Sequence, residues 1–265
     1  VGSSHPKSGK YHYFLGRCRR IMNRPIDRMS SCCTAQKHTG HGGIFDLDED
    51  QLEAFYRIRI PLSYKPNQVV FYEGHLTIGL YMLRAGKVKL TRSSYREQRL
   101  IVQILEPGEI IEKHAFAQNS IHQTTCETLE SCKICLIERN AYLDLVRRDS
   151  TLALKLIELL SSEVRSNLAQ LDSFTFKNAR ERLAATLLEL GRRFGSRGED
   201  GIQIGMSLKR EEIAEMTGIT PETLARLLSA FQSEKLLLTQ GRLITLINLP
   251  RLTRLARGRA SDVRE

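Results

Sequence analysis

The stretch LKREEIAEMTGITPETLARLLSAFQSEKLL (Leu208–Leu237) contains two short helical patterns joined by a tight turn. Gly218 permits the positive φ that such a turn requires. Thr220 is a good N-cap, and Pro221 suits the first helical position because its missing N–H has no partner there. The spacing therefore predicts a helix that begins at Pro221 and ends near Ser233.

This pattern is typical of a DNA-binding helix-turn-helix, whose second helix lies in the major groove. Ala214 is small enough for the two helices to cross closely. Arginine can donate two hydrogen bonds to guanine, and glutamate can accept one from cytosine. The predicted DNA contacts are the N-cap Thr220 and, in the second helix, Glu222, Thr223, Ala225 and Arg226, with Lys209 and Arg210 facing the phosphates from the first helix.

The segments on either side of this stretch complete a small domain. NARERLAATLLELGRRFG (178–195) predicts a helix closed by Gly195, and SRGEDGIQIGM (196–206) predicts a linker or a hairpin. LLLTQGRLITLIN (236–248) predicts a β-hairpin wing that turns at Gln240 and Gly241.

A long helix is predicted upstream, over TLALKLIELLSSEVRSNLAQLDSF (151–174). Apolar residues recur along it at spacings of three and four, which makes one stripe. The stripe is explained either by burial in the core or by pairing with a second helix, and we favour a dimer interface. The predicted interface residues are Leu152, Leu156, Leu160, Val164, Leu168 and Leu171.

Short apolar runs separated by Gly and Pro turns fill residues 60–137, and they predict antiparallel strands in a barrel or sandwich. Gly74, Gly86 and Gly108 stand where tight turns need a permissive backbone. A short helix is predicted before them, over residues 46–58, with Asp46 or Asp48 as its cap.

The charge distribution suggests an anionic partner. The 265 residues carry a net charge of +10, of which the first 43 hold +7 and residues 177–265 hold +5. The apolar fraction of 41% is enough for a core, and no run is long enough to span a membrane. The sequence lacks a nucleophile elbow, a P-loop and a His-Glu-x-x-His motif, so we do not expect an enzyme.

The whole order of elements resembles the CRP/FNR family of bacterial transcription regulators. The residues that carry the resemblance are GLYMLRAGKVKL and LEPGEII in the strands, the long helix running into KNARERLAATLLELGRRF, and TGITPETLARLLSAFQ with its wing. The resemblance implies an α+β chain with a cyclic-nucleotide-binding-like β-roll, a long dimerisation helix and a C-terminal winged helix-turn-helix. The expected segments are a basic leader (1–43), the β-roll (44–148), the dimerisation helix (149–175), the DNA-binding domain (176–258) and a tail (259–265).

The family's recognition helix reads a palindrome as a homodimer. Glu222 and Arg226 resemble the Glu-x-x-x-Arg pair that reads TGA-type half-sites in double-stranded DNA, although Ala225 stands where the FNR branch has serine. The resemblance also implies RNA polymerase as a partner and a cytoplasmic location. The alternative is an effector-binding module that serves an enzyme or channel, and the helix-turn-helix argues against it.

Two branches of the family suggest which signal the regulator senses. The cAMP-binding branch places Glu and an Arg-Ser pair in its pocket, whereas Lys113 and His122-Gln123 stand near those positions here, so we expect no cAMP binding. The FNR branch binds a [4Fe–4S] cluster with three N-terminal cysteines and one on the β-roll. The matching thiols are Cys18, Cys32, Cys33 and Cys135, although Cys18 lies unusually far from the adjacent pair.

Other interpretations of the cysteines stay open. SSCCTAQKHTGH (30–41) is also compatible with a thiol–disulfide switch, with a metal site that uses His38 and His41, or with a leader whose cysteines have no role. Haem is a further alternative. Val1, Met22 and Met29 stay open as the natural start. With a start at Met29 only two leader cysteines remain, and Cys126 or Cys132 must complete a cluster. Each of these lies on a predicted strand, where a cysteine is often a small core residue.

Overall fold

The computed structural model describes residues 49–94, 98–113, 120–205 and 208–258. Helix α1 (Glu49–Ile58) leads into the strands of a β-roll. These strands are β1 (Arg59–Tyr64), β2 (Val69–Phe71), β3 (Gly79–Ala85), β4 (Val88–Ser93), β5 (Arg99–Leu105), β6 (Ile110–Ile111), β7 (Thr125–Thr128) and β8 (Cys132–Glu138). The predicted turn glycines Gly74, Gly86 and Gly108 have φ of 83°, 84° and 102°.

The strands pair antiparallel into two sheets, in the orders β1-β8-β3-β6 and β2-β7-β4-β5. Successive side chains of β8 point to opposite faces of the first sheet. Ile134 and Leu136 pack between the sheets, together with Cys126 and Cys132. Cys135 packs on the outer face, against residues from the helices.

Two helices follow the β-roll, α2 (Arg139–Arg148) and α3 (Thr151–Phe176). The Tyr142 hydroxyl on α2 donates to the Leu152 carbonyl at 2.9 Å and joins the two helices. The first turns of α3 pack on the outer face of the first sheet, where Leu152 and Leu159 are buried. The rest of α3 extends beyond that core with exposed leucines.

The C-terminal domain begins with α4 (Ala179–Phe194), which the Asn178 side chain caps through the N–H groups of Arg180 and Glu181. The remaining elements are β9 (Gly195–Gly198), β10 (Gly201–Ile204), α5 (Arg210–Thr217), α6 (Pro221–Ser233), β11 (Leu237–Gln240), β12 (Leu243–Leu246) and α7 (Leu249–Arg257). The order β11-β12-β10-β9 forms the wing sheet, so the segment predicted as a linker or hairpin is a hairpin of that sheet.

Several predicted boundaries can be compared directly. Helix α6 spans Pro221–Ser233, as the turn and cap residues indicated, and α4 ends at Phe194 before Gly195. The long helix spans Thr151–Phe176, so it begins at the predicted residue and ends two residues after the predicted end. Helices α2 and α7 were not predicted separately.

Some predictions lie outside the described residues. These are the leader over 1–43 with Cys18, Cys32, Cys33, His38 and His41, the caps Asp46 and Asp48, and the tail over 259–265. None of the helices in the described parts of the chain is long and apolar enough to cross a bilayer.

Candidate nucleic-acid interface and effector site

The turn between α5 and α6 fixes the direction of the second helix. Gly218 ends α5 in the left-handed conformation, with φ of 65° and ψ of 44°. The Thr220 hydroxyl then accepts a hydrogen bond from the Thr223 N–H at 3.2 Å, and Pro221 occupies the first turn. Buried Leu224, Leu228 and Phe231 hold the inner face of α6 in the core. The opposite face is therefore free for recognition.

That outer face presents the predicted contact residues. Glu222, Ala225 and Arg226 are exposed, and Thr223 is half-buried. Ser229 is exposed on the same face, seven residues after Glu222, and its hydroxyl donates to the Ala225 carbonyl at 3.0 Å. The sequence analysis missed Ser229, although helical spacing from Glu222 and Arg226 points to it.

Glu222 is held as a carboxylate. Hydrogen bonds from its own backbone N–H and from the Thr220 hydroxyl lower the pKa of its side chain below the ordinary glutamate value. An ionised carboxylate only accepts hydrogen bonds, so Glu222 suits a base-edge amino group and repels phosphate.

The two predicted phosphate contacts on α5 have different surroundings. Lys209 is exposed, and its backbone N–H donates to the Glu212 carboxylate at 2.9 Å. The Arg210 Nη2 donates to the Gly241 carbonyl at the turn of the wing, at 2.9 Å. Arg210 thus ties the wing to the helix-turn-helix, a role that the sequence analysis did not predict. Its contact with phosphate stays a prediction.

The β-roll contains a buried acid–imidazole pair. The His122 Nδ1 lies 2.6 Å from the Glu112 Oε2, and both residues are nearly inaccessible, at 2% and 3% exposure. The other carboxylate oxygen of Glu112 accepts from the N–H and the hydroxyl of Thr124, at 2.7 and 2.5 Å. The His122 ring stacks on Phe71, with centroids 3.7 Å apart and planes within 7°. Tyr81 packs against the same ring pair.

This pair lies at the position that the resemblance assigns to a nucleotide phosphate. His122 was predicted to replace the family's arginine, and the structure shows it turned inward to Glu112. Gln123 is exposed and donates to the Ile121 carbonyl at 3.3 Å, while Lys113 is half-buried. Glu112 itself was not singled out from the sequence, because its partners Thr124 and His122 lie at least ten residues away.

The three described cysteines fall into two environments. Cys126 and Cys132 lie between the sheets, where burial raises the pKa of both thiols and the Glu112 carboxylate raises that of Cys126 further. Cys135 lies on the outer face of the first sheet, in one cluster with Phe55 of α1 and Leu152 of α3. Among the residues that the structure describes, no three His, Cys, Asp or Glu side chains come together as metal ligands.

Helix α3 carries two apolar faces. Leu152 is 2% exposed in the core, so it cannot line a dimer interface, and Leu156 packs against the same core. This corrects the predicted interface at its N-terminal end.

The face turned away from the core consists of Leu154, Ile157, Val164, Leu168 and Leu171, which are 57–61% exposed and are here called the α3 seam. With Ser161, they follow the alternating spacing of three and four residues found in coiled coils. Leu160 lies half-buried beside the seam.

Comparisons with known proteins agree with this architecture. A family model of the cyclic nucleotide-binding domain matches residues 61–149, and a model of the Crp-like helix-turn-helix domain matches residues 181–255. The chain is 30% identical over 207 residues to the anaerobic regulatory protein of Aggregatibacter actinomycetemcomitans, covering 78% of this chain and 79% of that protein. It is 29% identical over 215 residues to the fumarate and nitrate reduction regulatory protein of Escherichia coli (strain K12), covering 80% and 85%.

Solved structures show the same fold. FixK2 from Bradyrhizobium japonicum superimposes with a TM-score of 0.65 at 24% identity, covering 75% of this chain and 97% of that one. The c-di-GMP responsive regulator CLP from Xanthomonas campestris superimposes with a TM-score of 0.68 at 21% identity, covering 76% and 100%. The order of domains, the helix-turn-helix geometry and these relatives together show that the chain belongs to the CRP/FNR family of DNA-binding transcription regulators.

Proposed function

We propose that the chain is a homodimeric, sequence-specific regulator that acts in the cytoplasm, reads a palindrome of TGA-type half-sites and responds to a redox or oxygen signal. The observation that carries the DNA-reading part is the exposed face of α6, where Ala225 and Arg226 lie about one helical turn after Glu222. Arg226 can donate two parallel hydrogen bonds to a guanine, and ionised Glu222 can accept from a cytosine. RNA polymerase is the partner of such a regulator at a promoter.

The α3 seam supports the homodimer. Five apolar side chains on one exposed stripe match the spacing of a two-stranded coiled coil. A two-fold axis along α3 would place the two recognition helices to read half-sites about one DNA turn apart, roughly 34 Å.

A loss of binding affinity at one base pair tests whether Arg226 reads DNA. Sites are first selected in vitro with the wild-type protein, and binding is then measured by fluorescence anisotropy. We expect Arg226→Ala to lose about 1–3 kcal/mol or more at one base pair and to keep its weak, salt-dependent binding to random DNA. Arg254→Ala, an exposed arginine on α7, is the matched control and should bind as wild type. An unchanged footprint for Arg226→Ala would refute the assignment.

The effector site does not fit a cyclic nucleotide. A phosphate needs hydrogen-bond donors and positive charge, and the pocket position instead holds the Glu112 carboxylate, closed over by the His122–Phe71 stack. Inserting a nucleotide there would break a buried, fully hydrogen-bonded carboxylate cluster. We expect isothermal titration with cAMP and cGMP to give no binding heat. Saturable binding that Glu112→Gln abolishes would contradict this expectation.

The redox part of the proposal rests on Cys135. It is the described cysteine that packs against α1, the helix that follows the leader in the sequence, while Cys126 and Cys132 lie between the two sheets. A [4Fe–4S] cluster, if bound, would use Cys135 with three leader cysteines and would supply oxygen-sensitive redox chemistry. The ligand set proposed from the leader is Cys18, Cys32 and Cys33.

The structure makes this testable with matched substitutions. The protein is purified without air, and iron, acid-labile sulfide and visible absorption are measured. We expect Cys135→Ser to lose iron, and Cys126→Ser and Cys132→Ser to retain it because their thiols lie inside the β-roll. Iron-free wild-type protein with a reversible disulfide at Cys135 would favour the thiol switch. Iron that persists in Cys135→Ser would refute the assignment of this ligand.

A further inference from the structure

A buried lysine joins the β-roll to the helix-turn-helix. Lys89, on β4, is 8% exposed. Its Nζ lies 2.9 Å from the Glu212 Oε1 on α5 and 3.6 Å from the Glu127 Oε2 on β7. One cation is therefore shared between a carboxylate of its own sheet and a carboxylate of the DNA-binding domain. Arg99, on β5, contacts the same oxygen of Glu127 at 3.3 Å.

Glu212 also caps the start of α5. Its Oε2 accepts from the Lys209 N–H at 2.9 Å, which caps the start of α5. Burial alone would raise the pKa of Glu212, but the Lys209 N–H and the Lys89 ammonium together lower it. The same Glu212 carboxylate therefore caps the first helix of the helix-turn-helix and forms the ion pair with Lys89 of the β-roll.

Apolar packing surrounds this ion pair. Ile101 and Ile104 of β5 are almost fully buried, and they belong to the same core as Ile213 of α5 and Leu224 of α6. A strand of the sensor domain therefore completes the core of the DNA-binding domain. Burial of these apolar side chains in a shared core favours one relative position of the two domains.

Two further side chains bind the polar backbone of β5. The Arg193 Nη1 on α4 donates to the Ile104 carbonyl at 2.8 Å, and its Nη2 lies 2.7 Å from the Glu109 carboxylate. The Gln170 Nε2 on α3 donates to the Val102 carbonyl at 2.7 Å. The outer edge of β5 is thereby occupied by the helices that lead to and support the recognition helix.

We propose that Lys89, a residue of the β-roll, is a positioning residue for DNA recognition. Through Glu212 it holds α5, and with it the recognition helix α6, in the orientation that binds the operator. In this docked arrangement Glu222 and Arg226 remain exposed, so docking does not cover the recognition face. The inference rests on the proposed DNA-reading function and adds that a sensor-domain side chain sets the affinity.

Because Lys89 is buried, substitutions at Lys89 and Glu212 are expected to affect DNA binding in a specific pattern. Lys89→Met leaves Glu127 and Glu212 facing each other without the shared cation, which is strongly unfavourable in a buried site. Glu212→Gln retains a side-chain acceptor for the Lys209 N–H, so the cap survives while the charge is removed. In the double variant the uncompensated Glu212 charge is gone, and Glu127 keeps Arg99. Glu212→Gln should therefore rescue Lys89→Met.

The experiment compares these three variants of the full chain with wild type on a duplex selected in vitro. We expect Lys89→Met to weaken specific binding by about tenfold or more, and the double variant to recover most of that loss. Lys87→Met removes the exposed ion pair that Lys87, two residues before Lys89, makes with Glu130, and it serves as the control that should bind as wild type. Wild-type affinity in Lys89→Met, or a double variant no better than Lys89→Met, would overturn the proposal.

A second measurement separates this proposal from the proposed function. Amide hydrogen exchange in α5 reports docking without any DNA. We expect faster exchange in Lys89→Met and restored protection in the double variant, even if wild type selects no site. Unchanged exchange in Lys89→Met would overturn the positioning role, while failure of wild type to select a site would refute the proposed function alone.

Discussion

Replacing Val164 by glutamate is expected to separate the two proposed protomers. Val164 lies in the middle of the α3 seam and is 58% exposed, with Leu168 at 57% on the next turn. In a two-fold dimer each seam position meets its own copy, so one substitution acts twice. The glutamate replaces two buried apolar contacts and places two like charges close together.

The magnitude follows from the surface that a partner would cover. Fully burying an aliphatic side chain is worth about 1.5–3 kcal/mol, so covering the exposed part of Val164 is worth about 1–2 kcal/mol in each chain. Both copies together give about 2–4 kcal/mol, which corresponds to a dissociation constant raised roughly 30- to 700-fold. Repulsion between the two carboxylates adds to this loss.

The assay is sedimentation velocity over a dilution series, with operator binding measured on the same samples. We expect Val164→Glu to shift to the mass of one chain and to lose operator binding at concentrations where wild type retains both. Ala169→Glu is the control, because Ala169 is exposed on α3 about a third of a turn from the seam. Equal sedimentation of Val164→Glu and wild type would refute the α3 seam as the dimer interface.

Three further predictions concern folding. Gly218→Ala should lower the free energy of unfolding in urea by at least about 1–2 kcal/mol, because φ is +65° and the new Cβ would lie 2.8 Å from the Phe174 Cε1; an unchanged midpoint would contradict this. Burial raises the pKa of Tyr142 to about 12, so its contribution to stability is complete below the ordinary tyrosine pKa near 10 and is lost as pH rises towards 12. Tyr142→Phe, which also removes the bond to Leu152, should flatten that part of the stability profile, and a profile parallel to wild type would argue against it. Leu224→Ala should cost about 2–5 kcal/mol in the same urea assay, since Leu224 is fully buried, and a much smaller loss would show that the site collapses.

The recognition helix could be predicted because its signals are local. Thr220, Pro221 and Gly218 specify a cap, a first turn and a left-handed residue without reference to the rest of the chain. The wing turn at Gly241, with φ of 60°, is equally local. These features gave the bounds of α6 correctly, and the family comparisons support the function that the geometry suggested.

The α3 seam shows what local patterns cannot resolve. Helix α3 is apolar on two sides, and spacing alone does not tell which side meets the β-roll. Tyr142 and Phe55, on other helices, decide that Leu152 is core, and neither lies near it in sequence. The Glu112–His122 pair was missed for the same reason, since only the folded sheets bring the two side chains together.

The register of the first sheet links the proposed sensor cysteine to the DNA-binding domain. Cys135 pairs with Met82, Met82 pairs with Ile110, and all three lie in the core beneath the helices. Glu109 directly precedes Ile110 and binds Arg193 of α4. Because packed cores shift between discrete arrangements and do not deform continuously, a change of packing around Cys135 has a short path to α4. Cys135 and α4, which shares a core with the recognition helix, therefore lie at the two ends of one row of paired residues, and Lys89 provides a second contact between the two domains.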